Sequence, residues 1–412
     1  MKVLFVHQNF PGQYLHLARH LGTTPGHQVV FLTQRRDDAR LPGVTKFVYE
    51  PHRSITPNIH HYLRETEAGV LNAQNVARVA LDLRDSGFVP DVMLAHNGWG
   101  ELWYLKDVFP KTPLIGYFEF FYRRHGADVG FDPHEKLIFD TASRLRTKNL
   151  GNLLALDAAD LGQTPTQWQK SLYPKLHHPK LHVVHEGIDT QRVAPNPQAK
   201  LTLPGGIVLS AEDEVVTYVA RNLEPYRGFP SFMRSLPAIL ARRPKAQVVI
   251  VGGDETSYGP PLANGKTFRQ AMLEEVGSSL DRRRVHFLGK VPYSTFLAIL
   301  QISSAHVYLT YPFVLSWSML EAMAAGCLVI GSKTAPVEEV IGDGENGILV
   351  DFFAPGEIAE RVVAALAERR AFATIRKNAR QTILDKYDLK TICLPAQLKL
   401  LGMARTTAAN VA

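Results

Sequence analysis

Residues 216–240 read VTYVARNLEPYRGFPSFMRSLPAIL, a stretch that changes character twice. It begins as a run of β-branched and aromatic residues, passes through a turn that contains Arg221, Arg227 and Gly228, and ends with apolar residues spaced as in a helix. A buried strand that leads through a turn into a helix is the repeating element of α/β folds with parallel sheets. The stretch therefore predicts an α/β fold in which two guanidinium groups lie at the carboxyl end of a strand.

Similar apolar strand patterns recur along the chain. They lie at residues 2–7, 27–33, 46–50, 91–96, 113–120 and 181–187, and again at 214–220, 246–253, 285–290, 305–310, 327–332 and 347–351. Helical patterns separate them, for example at residues 12–21 and 69–87. The strands are continuously apolar, which is typical of sheets covered by helices on both faces. The pattern predicts two doubly wound parallel sheets.

The length and one polar segment indicate where the chain divides. With 412 residues, two domains are more natural than one, because single cores stop growing near about 250–300 residues. Residues 195–206 are polar and rich in proline and glycine, so we predict a linker there, between an N-terminal domain of residues 1–195 and a C-terminal domain of residues 207–384. Ligands of open α/β sheets bind at the carboxyl ends of the strands, so we expect the domains to face a central cleft.

Composition excludes several classes of protein. Apolar residues make up 45% and charged residues 21% of the chain, which excludes disordered, collagen-like and disulfide-scaffold proteins. The net charge of +7 suits an anionic ligand, an anionic membrane surface or nucleic acid. The arginine clusters lack the interleaved glycines and aromatics of RNA-binding segments, so we expect no nucleic acid partner. No apolar run is long enough for a signal sequence or a membrane span, so we expect a soluble, cytoplasmic protein.

The turn after strand 214–220 is a candidate anion site. Backbone N–H groups at the start of a helix attract anions, and the guanidinium groups of Arg221 and Arg227 add bidentate donors for phosphate oxygens. Alternatively, both arginines are exposed loop residues that pair with Glu224 or another neighbour. The residues alone leave both interpretations open.

A second candidate anion site lies in residues 305–341, which read AHVYLTYPFVLSWSMLEAMAAGCLVIGSKTAPVEEVI. The loop before the small-residue helix offers Ser316 and Ser318 as helix caps. Glu321 lies in the first turns of that helix, where a carboxylate can accept hydrogen bonds from two ribose hydroxyl groups. Alternatively, Glu321 only complements the helix dipole.

A family resemblance rests on these two segments. Arg221, Arg227 and Gly228, followed by SWSMLEAMAAGCLVIGS and PVEEVIGDGENGILV, resemble the C-terminal half of the retaining family-4 glycosyltransferases of GT-B fold. The resemblance implies a Rossmann-like acceptor domain and a Rossmann-like donor domain, with a C-terminal helix at about residues 385–405 that rejoins the first domain. It implies transfer of a hexosyl group, with retention, from a nucleoside diphosphate sugar to a hydroxyl group of a glycan, a lipid-linked acceptor or a small molecule.

The resemblance also implies roles for individual residues. It assigns the diphosphate, and the charge that develops there during catalysis, to Arg221 and Arg227, and the ribose to Glu321. Further donor contacts would come from the backbone at Val291, which would face the base, and from Gly12, Leu315, Ser316 and Trp317. Enzymes of this fold stabilise the leaving diphosphate with basic residues and helix dipoles. We therefore expect no metal ion and no cofactor beyond the nucleotide sugar as co-substrate.

Two residues depart from the family pattern. Arg227 stands where lysine is usual, which keeps the charge but replaces a point donor with a fork. Phe313 stands where the family has the first glutamate of an E-x7-E motif, a residue that usually contacts the donor sugar. The resemblance therefore does not imply which sugar is transferred.

The N-terminal half offers candidate catalytic and acceptor residues. Glu119 stands where many relatives have a cleft histidine, and its carboxylate could orient or deprotonate an acceptor hydroxyl group; the alternative is a structural pair with an arginine. His96, Asn97 and Arg123 are candidate acceptor contacts, although a lone histidine is more often structural. Gly12 lets the backbone approach a ligand, but an ordinary turn explains it equally well.

Two other functions stay compatible with the sequence. One is a GT-B sugar-nucleotide epimerase, and the other is a nucleotide-sugar binding protein without catalysis, which the absence of a glutamate at Phe313 permits. The basic charge also permits peripheral contact with the inner face of a membrane, where many relatives meet lipid-linked acceptors.

Overall fold

The structure, a computed structural model, describes residues 1–409 and divides into two compact units. The first comprises Met1–Gly187 and the C-terminal segment that begins at Leu389, and the second comprises Ile188–Asp388. Residues 188–195, which the sequence assigned to the first domain, therefore belong to the second. Arg380 holds them there, because its guanidinium donates to the backbone oxygens of Thr190 at 3.3 Å and Val193 at 3.2 Å.

Seven parallel strands form the sheet of the first unit. They are β1 (Lys2–Val6), β2 (Gln28–Thr33), β3 (Val44–Val48), β4 (Val92–His96), β5 (Leu114–Tyr117), β6 (Leu161–Thr164) and β7 (Leu181–Val183). Their order across the sheet is β3-β2-β1-β4-β5-β6-β7. The sequence patterns missed only β6 of these, because LGQT is short and carries a glycine and a glutamine; pairing with β5 and β7 makes it a strand.

Helices cover both faces of this sheet. They are α1 (Leu15–Thr23), α2 (Arg64–Asp85), α3 (Leu105–Val108), α4 (Phe139–Lys148), α5 (Leu150–Ala158) and α6 (Gln167–Leu172), with 3-10 turns at Gly12–Tyr14, His61–Leu63 and Lys175–His177. Side chains of β1 alternate between two cores: Val3 and Phe5 pack in one, and Leu4 and Val6 pack in the other. Because both faces are buried, the strand reads as a continuous apolar run.

The second unit contains a parallel six-stranded sheet and a short antiparallel hairpin. The strands are β8 (Lys200–Thr202), β9 (Val208–Ser210), β10 (Val215–Asn222), β11 (Gln247–Gly253), β12 (Val285–Phe287), β13 (Ala305–Tyr308), β14 (Val329–Ser332) and β15 (Ile348–Val350). The order of the larger sheet is β12-β11-β10-β13-β14-β15. The helices are α7 (Phe229–Arg242), α8 (Phe268–Val276), α9 (Tyr293–Gln301), α10 (Trp317–Ala324), α11 (Ala335–Glu338), α12 (Pro355–Ala367) and α13 (Ala373–Lys386), with 3-10 turns at Pro225–Arg227, Gly277–Ser279 and Arg282–Arg284.

The linker predicted at residues 195–206 is wrong. Strand β8 lies inside this segment and pairs with β9, and Leu201 and Leu203 are buried in a core cluster with Ile299. The sequence signal was weak because the strand is only three residues long and only its middle residue is buried. The segment is thus an integral part of the second unit.

The chain returns to the first unit at its C-terminal end. A π-helical turn (Leu389–Cys393) leads into α14 (Leu394–Ala409), whose Leu400 and Leu401 pack in the same core as Val3. The side-chain amide of Gln397 donates to the backbone oxygens of His185 and Glu186, at 3.3 and 3.1 Å. Across residues 1–409, no helix combines the length and apolarity needed to cross a membrane.

Candidate active site

Arg227 is held in place at the carboxyl end of β10. It is the last residue of a 3-10 turn that is capped by Gly228, which has φ +68°. A Cβ at Gly228 would lie 2.3 Å from the Cβ of Leu309, so only glycine fits. The guanidinium of Arg227 is 7% exposed, and its Nη1 donates to Thr310 Oγ1 at 2.7 Å and to the backbone oxygen of Val314 at 3.0 Å. The side chain is therefore fixed beside the loop that opens α10.

Glu224, the alternative partner of these arginines, has another role. Its buried carboxylate accepts backbone N–H groups from Ser257 at 3.1 Å, Tyr258 at 3.0 Å and Gly259 at 3.2 Å. It thereby anchors a loop that places the ring of Tyr258 5.1 Å from the guanidinium carbon of Arg227. The surface pair with Glu224 is not what holds Arg227.

Arg221 differs from Arg227 in being exposed. It lies at the carboxyl end of β10, near Glu255, which forms an ion pair with Lys290 at 2.6 Å. The hydrogen bond and charge of Lys290, and to a smaller extent the charge of Arg221, lower the pKa of Glu255. The strand end is therefore a polar surface with two cations.

The start of α10 is built around two serines and a tyrosine. Ser316 is the N-cap, and its hydroxyl accepts the backbone N–H of Ser318 at 3.3 Å. Its own N–H donates to the hydroxyl of Tyr308 at 2.8 Å. The side chains of Leu315 and Trp317 pack on the core, so this loop can meet a ligand mainly through its backbone and serine hydroxyls.

Glu321 lies on α10 and already has one hydrogen-bond donor. The hydroxyl of Tyr293 donates to its Oε1 at 2.6 Å, and the guanidinium carbon of Arg192 lies 4.4 Å from the centre of the Tyr293 ring. Burial raises the pKa of Glu321 to about 7, while the Tyr293 hydrogen bond and the charge of Arg192 act in the opposite direction. The carboxylate is therefore an acceptor whose charge changes near neutral pH.

Phe313 packs in a cluster of aromatic rings. Its ring centre lies 5.0 Å from that of Tyr258 and 5.5 Å from that of Tyr226, and Tyr226 stacks on Tyr311 at 4.7 Å. The cluster adjoins Arg227 through Tyr258. Val291 follows β12, and its side chain packs partly against the core that contains Leu203.

In the first unit, Gly12 admits the ring of His7. Gly12 has φ +52°, and a Cβ there would lie 2.5 Å from His7 Nε2. His7 is 1% exposed, and its Nδ1 accepts the backbone N–H of Asn9 at 2.9 Å. Its Nε2 lies 2.6 Å from Gln13 Oε1. Burial lowers the pKa of His7 to about 4, although the hydrogen bond to Gln13 opposes this effect.

Glu119 lies between Gln13 and His96. Gln13 Nε2 donates to Glu119 Oε1 at 3.0 Å, and His96 Nε2 lies 3.9 Å from Glu119 Oε2. His96 is fully buried, and its Nδ1 accepts the backbone N–H of Gly98 at 2.9 Å. Burial, and to a smaller extent His7, lowers the pKa of His96 well below its usual range. Both histidines are therefore neutral at pH 7.

Comparison with known proteins agrees with this architecture. The model of the "Glycosyl transferase family 4 group" matches residues 25–193, and that of "Glycosyl transferases group 1" matches residues 206–382. This chain belongs to the family-4 glycosyltransferases of GT-B fold. It is 26% identical to a D-inositol 3-phosphate glycosyltransferase of Corynebacterium glutamicum, over 51% of this chain and 50% of that protein.

A further relative and two solved structures are also similar to this chain. A GDP-mannose-dependent alpha-(1-6)-phosphatidylinositol monomannoside mannosyltransferase of Mycolicibacterium smegmatis is 25% identical over 65% of this chain and 66% of that protein. Among solved structures, Anabaena HepE in complex with UDP aligns with TM-score 0.66 and 17% identity, over 98% of this chain and all (100%) of that one. Sucrose-phosphate synthase of Thermosynechococcus elongatus aligns with TM-score 0.70 and 16% identity, over 98% and 99%. These likenesses establish the fold.

Two candidate acceptor residues have structural partners. The side-chain amide of Asn97 is buried, donates to Asn152 at 2.8 Å and accepts from the indole of Trp103 at 3.2 Å. Arg123 donates to the backbone oxygens of the last residues of α6, including Leu172 at 2.6 Å, and so caps that helix. The hydrogen bonds of Asn97 and Arg123 are therefore made within the fold, so neither side chain is proposed as an acceptor contact.

The sequence patterns missed three polar residues of the candidate site. Gln13 reaches Glu119 across a sequence separation of 106 residues, and Tyr293 reaches Glu321 across 28. Arg192 lies in the segment that the sequence assigned to the other domain. One signal could have indicated Tyr293, since it starts a helix two residues after Val291. Nothing local distinguishes Gln13 or Arg192 from surface residues.

Proposed function

We propose that this protein is a retaining glycosyltransferase of the hexosyltransferase class. It would transfer a sugar from a nucleoside diphosphate sugar to a hydroxyl group of a glycan, a lipid-linked acceptor or a small molecule. The observation that carries the proposal is the fixed guanidinium of Arg227, 7% exposed and bonded to Thr310 and Val314, at a strand end that also carries Arg221. We further propose that the reaction takes place in the cytoplasm and needs no metal ion.

In this proposal the diphosphate leaves with help from groups that are already oriented. Arg221 and Arg227 stabilise the negative charge that grows on the leaving phosphate, and the backbone of Leu315, Ser316 and Trp317 adds N–H donors and the dipole of α10. Because Arg227 is bonded before any ligand arrives, little reorganisation is needed at the transition state. The bond from the anomeric carbon to the phosphate oxygen breaks, and the acceptor oxygen bonds to that carbon from the same face.

The ribose and base are assigned to neighbouring groups. Ionised Glu321 would accept hydrogen bonds from the ribose hydroxyls, and the Tyr293 hydroxyl that it now holds at 2.6 Å would shift or share the carboxylate. The backbone of Val291 would meet the base. On the acceptor side, Glu119 would orient the acceptor hydroxyl group, while the departing phosphate assists removal of its proton.

A second candidate function is nucleotide-sugar binding without catalysis, which one observation favours. Phe313 packs beside Tyr226 and Tyr258, and its own side chain has no oxygen that could accept a hydrogen bond from a sugar hydroxyl group as a glutamate would. Release of free nucleoside diphosphate in the presence of an acceptor, with formation of a glycosylated product, would exclude this alternative. Tight binding with no product on any acceptor would favour it.

The first experiment is a panel of nucleotide sugars measured by thermal shift. A ligand at 100 times its dissociation constant stabilises a protein by about 2.7 kcal/mol, so a binding donor is easily recognised. The best donor is then tested for transfer to acceptors. The control for both steps is the variant Arg283→Ala, outside the candidate site, since that side chain is 90% exposed and pairs with neighbouring Asp281 at 3.0 Å.

We also propose peripheral contact of the first unit with an anionic membrane. A groove of about 710 Å³ beside α4 has an apolar lining that includes Phe121, Phe139 and Leu153, and its only charged lining residues are Arg124 and Arg146. Phe139 is 84% exposed, which is unusual for so large an apolar side chain. Exposed apolar groups beside arginines are the combination that binds the interface of anionic bilayers.

A further inference from the structure

The hydrogen bonds around Glu119 can run in only one direction. The backbone N–H of Asn9 donates to His7 Nδ1 at 2.9 Å, so that nitrogen carries no proton when the ring is neutral. The ring proton must then lie on Nε2, which donates to Gln13 Oε1 at 2.6 Å. Because the amide oxygen of Gln13 faces His7, its NH2 group faces Glu119 Oε1, at 3.0 Å. This series of hydrogen bonds thus ends in the Gln13 amide, which donates to an oxygen of Glu119.

The second oxygen of Glu119 also faces a nitrogen donor. Nδ1 of His96 accepts the backbone N–H of Gly98 at 2.9 Å, so the proton of this neutral ring lies on Nε2. That atom is buried, has no hydrogen-bond partner within the described residues, and lies 3.9 Å from Glu119 Oε2. One oxygen of Glu119 therefore accepts a hydrogen bond from Gln13, and the other faces the N–H of His96 at 3.9 Å, beyond hydrogen-bond distance.

Glu119 reaches solvent, whereas the two imidazoles do not. Its side chain is 31% exposed, whereas His7 is 1% exposed and His96 is fully buried. A substrate can meet Glu119 but not the two imidazoles behind it. His96 therefore acts on a substrate through Glu119, which revises the direct contact expected for it.

We propose that Gln13 and His96 are positioning residues that hold the Glu119 carboxylate ionised and oriented toward the acceptor, and that His7 fixes the direction of the Gln13 amide. The proposal rests on the proposed role of Glu119 in acceptor use. It explains why a carboxylate can stand where a histidine is usual: its neighbours are neutral donors rather than bases. It also explains Gly12, whose missing side chain leaves room for His7.

Other groups close to Glu119 keep the same protonation state over the pH range of the test. The phenol groups of Tyr117 and Tyr173 both sense the charge of Glu119, and burial raises the pKa of each well above its usual range, so they stay neutral. The hydroxyl of Tyr117 is bonded to Glu186. Gln169 Nε2 donates to the backbone oxygen of Glu119 at 2.6 Å and fixes its main chain.

The test is the pH profile of Gln13→Met, which keeps the length of the side chain and removes its donor. Losing an N–H bond to a carboxylate disfavours the ionised form, so the acidic limb of kcat/KM for the acceptor should move about one unit to higher pH. The KM for the nucleotide sugar should stay within twofold. His96→Phe should move the same limb in the same direction.

The control is Gln34→Met, in the same unit. The side-chain amide of Gln34 also makes two hydrogen bonds: it accepts one from Gln8 at 2.9 Å and donates one to Asn72 at 2.7 Å. Neither bond involves Glu119. The variant should leave the limb unmoved. Circular dichroism and binding of the nucleoside diphosphate, a property of the second unit, show whether each variant is folded.

Two results overturn the inference. One is an acidic limb that stays in place in folded Gln13→Met, and the other is an equal movement in Gln34→Met. The variant Glu119→Gln separates this failure from failure of the proposed function. If Glu119→Gln keeps full turnover, the role of Glu119 itself is wrong; if it loses turnover while Gln13→Met keeps the limb, only the positioning role is wrong.

Discussion

We predict that Glu321 makes binding of the nucleotide sugar depend on pH. Its pKa is raised to about 7, mainly by burial, and in the proposed function the ribose hydroxyl groups would donate to its ionised carboxylate. With that pKa, about one tenth of the protein is ionised at Glu321 at pH 6 and about nine tenths at pH 8. Because the apparent affinity scales with the competent fraction, the nucleotide sugar should bind about tenfold more tightly at pH 8 than at pH 6.

The assay is isothermal titration calorimetry at pH 6, 7 and 8 with the donor found in the panel. A nucleotide sugar is suitable because its diphosphate is esterified at both ends and stays fully ionised in this range. Glu321→Gln should bind more weakly and show no pH dependence. Glu275→Gln is the control, because the hydrogen bond and charge of Arg234 lower the pKa of Glu275, so it does not titrate there. At pH 7, binding to the unaltered protein should release about half a proton.

Two results would refute this reasoning. The first is an affinity that is flat or falls from pH 6 to pH 8, which would mean that Glu321 is ionised throughout or does not meet the ribose. The second is a Glu321→Gln variant that keeps the tenfold change. Stability supplies an independent check of the pKa itself. A carboxyl group whose pKa rises on folding, here from 4.5 to about 7, makes the fold less stable as pH increases through that range, so Glu321→Gln should raise the melting temperature at pH 8 but not at pH 4.

Three further variants test the remaining assignments. Arg227→Ala should weaken nucleoside diphosphate binding at least about tenfold, or about 1.4 kcal/mol, while the exposed control Arg283→Ala leaves it unchanged; equal affinity of both variants would exclude Arg227 from the phosphate site. Gly12→Ala places a Cβ 2.5 Å from an imidazole nitrogen, so it should lower turnover and melting temperature together, and normal turnover would show that the ring need not stay in place. Phe139→Ser should reduce cosedimentation with vesicles of phosphatidylglycerol, whereas Val89→Ser, which is 52% exposed and precedes the amino end of β4, should not. Unchanged cosedimentation of Phe139→Ser would show that the groove does not contact the membrane.

The sequence predicted the elements whose pattern has a local cause. Strands such as β1 are buried on both faces, and their apolar runs were recognised, although β5, β7 and β12 end about three to four residues earlier than predicted. The segment LGQT at Leu161–Thr164 and the hairpin at Lys200–Thr202 were missed because pairing with neighbouring strands, rather than their own composition, makes them strands. Both boundaries of the second unit depend on similar long-range contacts.

The candidate site shows the same division. Patterns around Arg227 and Glu321 indicated polar groups at strand and helix ends, since that depends on nearby residues. Which way a polar side chain points depends on distant partners, and no local pattern reveals it. Asn97 turns inward because Asn152, separated from it by 55 residues, binds its amide. Gln13 becomes important because Glu119, at a separation of 106 residues, meets it.

The acids of the second unit show how satisfied hydrogen bonds separate structural from functional carboxylates. A carboxylate offers about four lone-pair sites. Glu224 accepts three backbone N–H groups and is fully buried, so its hydrogen bonds are directed to the fold and it fixes a loop. Glu321 accepts one hydroxyl, from Tyr293, which a competing hydroxyl can replace without exposing an unpaired backbone group. Both residues are glutamates, and both lie close in sequence to residues of the proposed donor site. Glu321, unlike Glu224, therefore keeps lone pairs that can accept hydrogen bonds from a ligand. Its burial is also the main cause of its raised pKa.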